Sequence, residues 1–412
     1  MKGGIYMAIF LNNIVLKCLI CINVLYVIFG CACTETYNAE ENLSMYSGAY
    51  ALMDGEMGRV LTGKEENTPM ANASTTKILT CIVTLENCDL NEMVIISSNA
   101  AAQPKVHLGM KENEQYPLKD MLYGLMLESY NDCAVAIAEH VAGSTKAFAV
   151  MMNDKAKEIG CKDTYFITPN GLDAEIKDDF HHTTAADLCK MMAYCTWESP
   201  MKEMFLKITQ TRNYSGSSNG KSYSFVNRNA FLNQMDGVLS GKTGFTNKAG
   251  YCYVAAMEVN GEKYTIALLA CGWPNNKDYK WKDARTLFEY GMEEYDVKTI
   301  KIKQFRESIE VDGYTDSAKF YDINKASDLH LLTKQQEYQL LMSEKDNIET
   351  EIILDTDTPL PIKEGQKMGV CNIYLNELLI DEIPILASQS AHIWGWKEVL
   401  HTIFYQFLTF SL

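Results

Sequence analysis

The segment ANASTTKILT, residues Ala71 to Thr80, sets a serine and a lysine three positions apart at the mouth of an apolar run. Ile78, Leu79, Ile82 and Leu85 then recur at helical spacing. Two readings fit. In one, Ser74 is a helix N-cap, a position serine favours because its hydroxyl oxygen accepts a backbone N–H. In the other, Ser74 is a nucleophile, and Lys77, one turn on and pointing the same way, is its base. Spacing alone does not choose. Ser-x-x-Lys occurs three times, at Ser74/Lys77, Ser199/Lys202 and Ser218/Lys221. Ser199 precedes Pro200 and reads as a cap with proline at the first helical position. Ser218 lies in a Ser/Gly-rich stretch, YSGSSNGKSYS, that reads as a flexible loop.

Order along the chain supplies what spacing lacks. Before Ser74, GAYALMDGEMGRVLTGKE flanks Asp54-Gly55 with alternating apolar residues, a hairpin signal. After it, PLKDMLYGLMLES predicts a helix from Pro117, and NDCAVAIAEHVAG restarts one at Asn131 that Gly143 closes. Further helices are expected over Thr145 to Gly160 and from about Thr184. GYCYVAAMEVNG and KYTIALLACGW read as strands joined at Asn260-Gly261, followed by the helix KWKDARTLFEYGMEEY. Antiparallel hairpins on both sides of a set of helices predict a layered α/β (α+β) domain rather than a parallel doubly wound one. From Val297, period-two segments such as KTIKIKQF and TEIILDT predict a small all-β domain.

Three short motifs then fall in order. Ser74/Lys77 opens a buried helix, Ser129-Tyr130-Asn131 joins two helices, and Lys242-Thr243-Gly244 precedes an apolar strand. With this order the chain resembles the serine penicillin-recognising enzymes, which carry SxxK, SxN and KTG. Within them it resembles the low-molecular-mass D-alanyl-D-alanine carboxypeptidases, serine peptidases of family S11. The longer strings ASTTKILT, LYGLMLESYNDCAVAIAEH, TPNGL, HHTTAADL, NRNAFL and GKTGFTNKAGYC support that narrower likeness. Tyr130 stands where the family is expected to carry a small residue.

The resemblance implies a transpeptidase/β-lactamase-like catalytic domain, an antiparallel sheet with a helical cluster, plus the C-terminal β domain. It implies that Ser74 attacks the carbonyl between two D-alanines to give an acyl-enzyme, with Lys77 as base. Ser129 would relay a proton to the leaving amine, and Asn131 would bind the substrate amide. Lys242 and Thr243 would hold the terminal carboxylate, and Gly244 would let the strand approach. The N–H groups of Ser74 and Phe245 would form the oxyanion hole. The expected partners are peptidoglycan stem peptides ending in D-Ala-D-Ala, and β-lactam antibiotics. Two alternatives stay open: a β-lactamase on the same fold, for which Glu175 is the nearest candidate base, and a non-catalytic peptidoglycan-binding protein.

Composition bounds the rest. The chain has 412 residues, room for two or three domains at ~150 residues each. A net charge of −16 argues against nucleic acid, whose phosphates need a basic footprint. Lys2 and Lys17 ahead of CLICINVLYVIFGCAC read as a signal peptide over 1–33. IFGC is similar to a lipoprotein cleavage site with Cys31 as the lipidated residue, and an uncleaved anchor is the alternative. The catalytic domain is then expected over 34–296 and the β domain over 297–388. The tail, 389–412, places Ile393, Trp396, Leu400, Ile403 and Phe407 on one helical face, as suits a helix lying on a membrane surface. Together these predict an exported protein at the outer face of the cytoplasmic membrane. Nine of 13 cysteines lie beyond the leader, an odd number without close pairing, so they read as buried free thiols. His181, His182 and Asp187 read as structural. Without HExxH or Cys/His ligand spacing, no metal and no cofactor is expected.

Overall fold

The computed structural model describes residues 43–311, 314–315, 327–355, 358–393 and 395–409. The segment 1–33, read above as a signal peptide, and Cys31 within it lie outside the described residues.

The alternating segment around Asp54-Gly55 folds as expected, into β1 (Ala49–Asp54) and β2 (Val60–Lys64). Lys77–Asn87 is α1, Leu118–Tyr123 is α2, Asn131–Ala142 is α3, Thr145–Glu158 is α4, Ala185–Ala193 is α5 and Lys202–Gln210 is α6. All but α6 follow their sequence signals. α6 opens at Lys202 after Met201, so Ser199 and Pro200 precede it, and Ser199, which instead ends the preceding turn, is not its cap. Gly143 ends α3 at φ 76, and Ser144 and Thr184 cap α4 and α5 by accepting the N–H groups of Ala147 and Asp187.

One segment departs from expectation. The Ser/Gly-rich stretch is a hairpin, β3 (Asn213–Ser218) and β4 (Lys221–Val226), rather than a flexible loop. Asn219 and Gly220 form its turn at φ 51 and 69, left-handed values that Asn-Gly tolerates best. The polar strands gain order from outside. Tyr214 and Tyr223 donate to the buried Asp120 carboxylate, and Phe225 is buried.

Val238–Thr246, Gly250–Val259 and Glu262–Leu269 are β5, β6 and β7. With the N-terminal hairpin they make one antiparallel sheet, ordered β2-β1-β7-β6-β5. β1 and β7, far apart in sequence, thus become neighbours with Ala51 opposite Ala267, and in the β5–β6 hairpin Lys242 lies opposite Val254. Ala51, Met53, Val254, Ala256, Ala267 and Leu269 belong to the core shared with the helical cluster. On the other face lies α7 (Tyr279–Glu294). There Gly291 packs so closely that an added Cβ would sit 3.0 Å from the Tyr264 ring. A sheet covered on both faces explains why β1 is buried along its whole length.

Beyond α7 the chain is β-rich. β8 (Asp296–Ile302) pairs with β11 (Gln336–Met342), and a second five-stranded sheet carries β9 (Arg306–Val311), β10 (Ser327–Leu332), β12 (Ile348–Leu354), β13 (Lys367–Leu375) and β14 (Leu378–Ala387). Leu329, Ile373 and Ile385 centre its core. Arg59, between β1 and β2, reaches this domain. Its guanidinium donates to both Asp346 oxygens at 2.9 and 3.0 Å and to Leu341 O at 2.8 Å. The tail helix α8 spans Trp396–Thr409. Ile393 is not part of it, because His392–Ile393 pairs as a strand with Tyr314–Thr315. Trp396, Leu400, Ile403, Phe404, Phe407 and Leu408 are exposed. Among the described residues, no helix is long and apolar enough to cross a membrane.

Candidate active site

Ser74 is not a helix cap. It lies inside a 3-10 turn, Ala73–Thr76, that runs directly into α1, and neither that turn nor α1 is capped by a side chain. Its hydroxyl instead meets the Lys77 amine at 2.7 Å and Asn170 O at 3.4 Å. The short turn is what allows this. It starts from Ala73 at φ 47, a conformation that costs a non-glycine residue about 1–2 kcal/mol, and it tilts Ser74 over the first residue of α1. Asn72 braces the strained turn by donating to Thr75 Oγ1 at 3.1 Å and Thr76 Oγ1 at 2.9 Å.

Lys77 is wholly buried. Its Nζ lies 2.7 Å from Ser74 Oγ, 3.0 Å from Asn131 Oδ1 and 2.6 Å from Asn170 O. No carboxylate is among these partners. Burial, and then the charge of nearby Lys242, holds the amine well below the ordinary lysine range.

Asn131 opens α3, and its side chain is oriented from both ends. Its Oδ1 accepts from Lys77 and its Nδ2 donates to Pro104 O at 3.3 Å. Ser129 arrives by another route. α2 widens into a π turn over Gly124–Glu128 and stops at Ser129 in the left-handed region, φ 66 and ψ 33. Such turns and strained residues gather at functional sites. Tyr130 turns away from the cleft, its ring edge-on to Phe225 at 5.6 Å.

Lys242 sits on the edge strand β5 and donates to Ser129 Oγ at 3.0 Å and Thr243 O at 2.7 Å. Burial brings it down to about 7. The bracketing glycines are both required by close approach. A Cβ at Gly241 would lie 2.6 Å from the Tyr253 hydroxyl, and one at Gly244 would lie 2.9 Å from Ser74 N. Gly244 therefore brings β5 against the Ser74 turn, with Phe245 next along the strand.

All eight sequence-predicted residues thus come together. Ser74, Ser129, Asn131, Thr243, Gly244 and Phe245 line one cleft of about 330 Å³, with Lys77 and Lys242 buried at its floor. The cleft also draws Lys105, Arg228 and Lys280 to its walls, a local cationic lining in an acidic protein. Glu175 is not at this cleft. It is exposed on a two-residue strand and paired with Lys248 at 2.9 Å.

Two contributors escaped the sequence reading. Asn170, in TPNGL, supplies the backbone carbonyl that holds Lys77. Its neighbour Gly171 presses on the Ser74 turn so tightly that a Cβ would fall 1.9 Å from Ala73 O. His181 is buried and links the same two segments. Its Nδ1 accepts from Ile167 N at 3.0 Å and Thr168 N at 3.3 Å, which leaves Nε2–H to donate to Thr76 Oγ1 at 2.8 Å. Burial, followed by the neighbouring His182 and Lys77 charges, pushes its pKa down to about 3, so it stays neutral. The only sequence signals were the TPNGL and HHTTAADL strings. Asp187 is structural, accepting the N–H groups of Lys162 at 2.9 Å and Asp163 at 2.8 Å.

A family model described as D-alanyl-D-alanine carboxypeptidase matches residues 35–270. The chain belongs to this family. A second model, the C-terminal domain of penicillin-binding protein 5, matches residues 319–392. The D-alanyl-D-alanine carboxypeptidase DacF of Bacillus subtilis is 27% identical over 345 residues, which cover 82% of this chain and 84% of the relative. Among solved structures, a D-alanyl-D-alanine carboxypeptidase of Mycobacterium tuberculosis aligns with a TM-score of 0.55 at 29% identity, over 60% of this chain and 91% of that one. DacD from Francisella tularensis shares the fold over 86% of this chain and 95% of its own, with a TM-score of 0.64 and 21% identity. These carboxypeptidase relatives span the catalytic domain, and the longer matches extend into the β domain.

Proposed function

We propose that this member of the carboxypeptidase family removes the terminal D-alanine from peptidoglycan stem peptides through an acyl-enzyme on Ser74, and that penicillins acylate the same hydroxyl. One observation carries the reading: a buried amine, without a carboxylate partner, lies 2.7 Å from Ser74 Oγ. A neutral amine has two N–H donors and one lone pair. Asn131 Oδ1 and Asn170 O accept both donors, so the lone pair is left for the serine proton. Lys77 thus acts as the general base, and the nearby Lys242 charge supports its neutral state.

As Oγ attacks, charge develops on the substrate carbonyl oxygen. The N–H groups of Ser74 and Phe245, brought together where Gly244 meets the Ser74 turn, receive it. Ser129 returns the proton to the departing D-alanine amine, and Lys242 and Thr243 hold its carboxylate. Asn131 binds the amide of the acyl donor. Water then releases the shortened peptide.

The exposed apolar side chains of α8 support a helix lying in the membrane interface, with Trp396 at headgroup level. Together with a leader over 1–33, this supports an enzyme held at the outer face of the cytoplasmic membrane, with the β domain setting the cleft away from the lipid. Incubation with labelled penicillin, followed by assay of D-alanine release from a D-Ala-D-Ala peptide, tests the reading. Stable label and release in wild type, both lost in Ser74→Ala, are expected. Fast penicillin turnover without D-alanine release would make the protein a β-lactamase, and neither signal would make it a binding protein.

A further inference from the structure

Among the described residues, Cys88, Glu92 and His140 form the one group whose three metal-ligating side chains have donor atoms within 4.8 Å of one another. We propose that Cys88 Sγ, Glu92 Oε2 and His140 Nε2 bind a divalent zinc-class cation that clips together the far ends of α1 and α3. The sequence gives no ligand spacing for this site, because His140 comes from a different helix.

Local structure holds the ligands in place. Cys88 follows the last residue of α1, and its N–H donates to Thr84 O at 3.1 Å. The next four residues form a tight turn. Asp89 N donates to Glu92 Oε1 at 3.0 Å, and the Asp89 carboxylate accepts from Asn91 N at 3.0 Å. Leu118 N donates to Glu92 O at 2.9 Å, which ties the turn to the start of α2. With Oε1 engaged, Glu92 Oε2 faces His140 Nε2 at 2.8 Å. This outer hydrogen bonding orients a ligand oxygen before any ion arrives.

The donor set selects the ion. One thiolate, one imidazole and one carboxylate suit zinc, whereas calcium and magnesium prefer oxygen alone. Zinc bond lengths of about 2.0–2.3 Å put tetrahedral ligands roughly 3.5 Å apart, so side-chain rotation suffices to close the site. Three protein ligands leave a fourth position for water, and the site is open to solvent at Glu92.

The location gives the ion a purpose. Lys77 is the first residue of α1 and Asn131 the first of α3, and they meet at 3.0 Å beside Ser74. Cys88 and His140 lie at the opposite ends of the same helices. A cation there fixes the pair at one end while the cleft occupies the other.

The test uses the full-length chain in detergent, stripped with a chelator and titrated with cobalt(II), then zinc(II). A thiolate-to-cobalt charge-transfer band saturating at one equivalent per chain, displaced by zinc, is expected, together with a rise in Tm on zinc addition. Cys88→Ser should abolish the band, and His140→Ala should weaken zinc binding more than about tenfold. Cys161→Ser, which alters a half-buried thiol elsewhere, should leave both intact. Should Cys88→Ser fail to fold, His140→Ala decides. No band, a band that survives Cys88→Ser, or zinc affinity unchanged by His140→Ala would each overturn the site.

Discussion

At Ser74 and at Ser199 the same Ser-x-x-Lys spacing meets two different surroundings. Ser199 is buried, but its hydroxyl donates to Glu86 Oε1 at 2.5 Å and accepts from Met201 N at 3.1 Å. Lys202 is exposed and turns to Trp197 O, so the pair never meets. At Ser74 the lysine is the buried partner, and carbonyl oxygens rather than a carboxylate surround it. The third pair, Ser218/Lys221, spans the hairpin turn, with Lys221 bound to Glu114 and Ser218 to Gln115 O. A nucleophile therefore needs more than a lysine one turn away. It needs that lysine desolvated, out of direct contact with a carboxylate and aimed at the hydroxyl.

Breaking this contrast at its centre gives the largest effect. Ser74→Ala should lower D-alanine release by about 10⁴-fold or more and abolish penicillin labelling. Lys77→Gln keeps the size and polarity of the side chain but removes the base. A fall in kcat of about 10³-fold is expected, with the labelling rate falling in step. Lys242 sharpens the electrostatic side. The rate rises with pH as Lys77 loses its proton and falls as Lys242 loses its charge at about 7, so kcat/KM should be bell-shaped. Lys242→Arg keeps its charge, and the alkaline limb should move up by more than about one pH unit.

His181 tests the scaffold behind the lysine. His181→Ala removes the bridge between Thr76 and the Ile167–Thr168 backbone, so kcat should drop about tenfold with KM nearly unchanged. The shape of the pH profile should stay the same, since a residue that only positions Lys77 does not titrate in the reaction. The smallest effect belongs to the other pair. Ser199→Ala should cost about 1.5 kcal/mol in denaturant unfolding, as loss of a buried hydroxyl's hydrogen bond to a carboxylate does, and leave turnover at wild-type level.

The hairpins at Asp54-Gly55 and Asn260-Gly261, the helix restart at Asn131 and its stop at Gly143 were legible because turn chemistry and apolar periodicity are local. The hairpin at Asn219-Gly220 had its turn signal too. Its polar strands hid it, since their order comes from Asp120, which receives both tyrosine hydroxyls. The cap expected at Ser74 was wrong for a related reason. The segment carries a cap residue, yet Asn170 and Lys77, supplied by other contacts, compete for the hydroxyl and win.

The sequence by itself determined the order of SxxK, SxN and KTG, the alternation that makes the sheets, and the apolar stripe that makes α1. Only the tertiary structure decided that Lys77 is buried with no carboxylate hydrogen-bonded to its amine, that Asn170 O accepts its second N–H, and that Cys88, Glu92 and His140 share one corner. Periodicity and turn residues act over a few positions of chain. Desolvation and electrostatics act through space, between groups that sequence separation does not rank, and it is these that turn one of three identical spacings into a reactive pair.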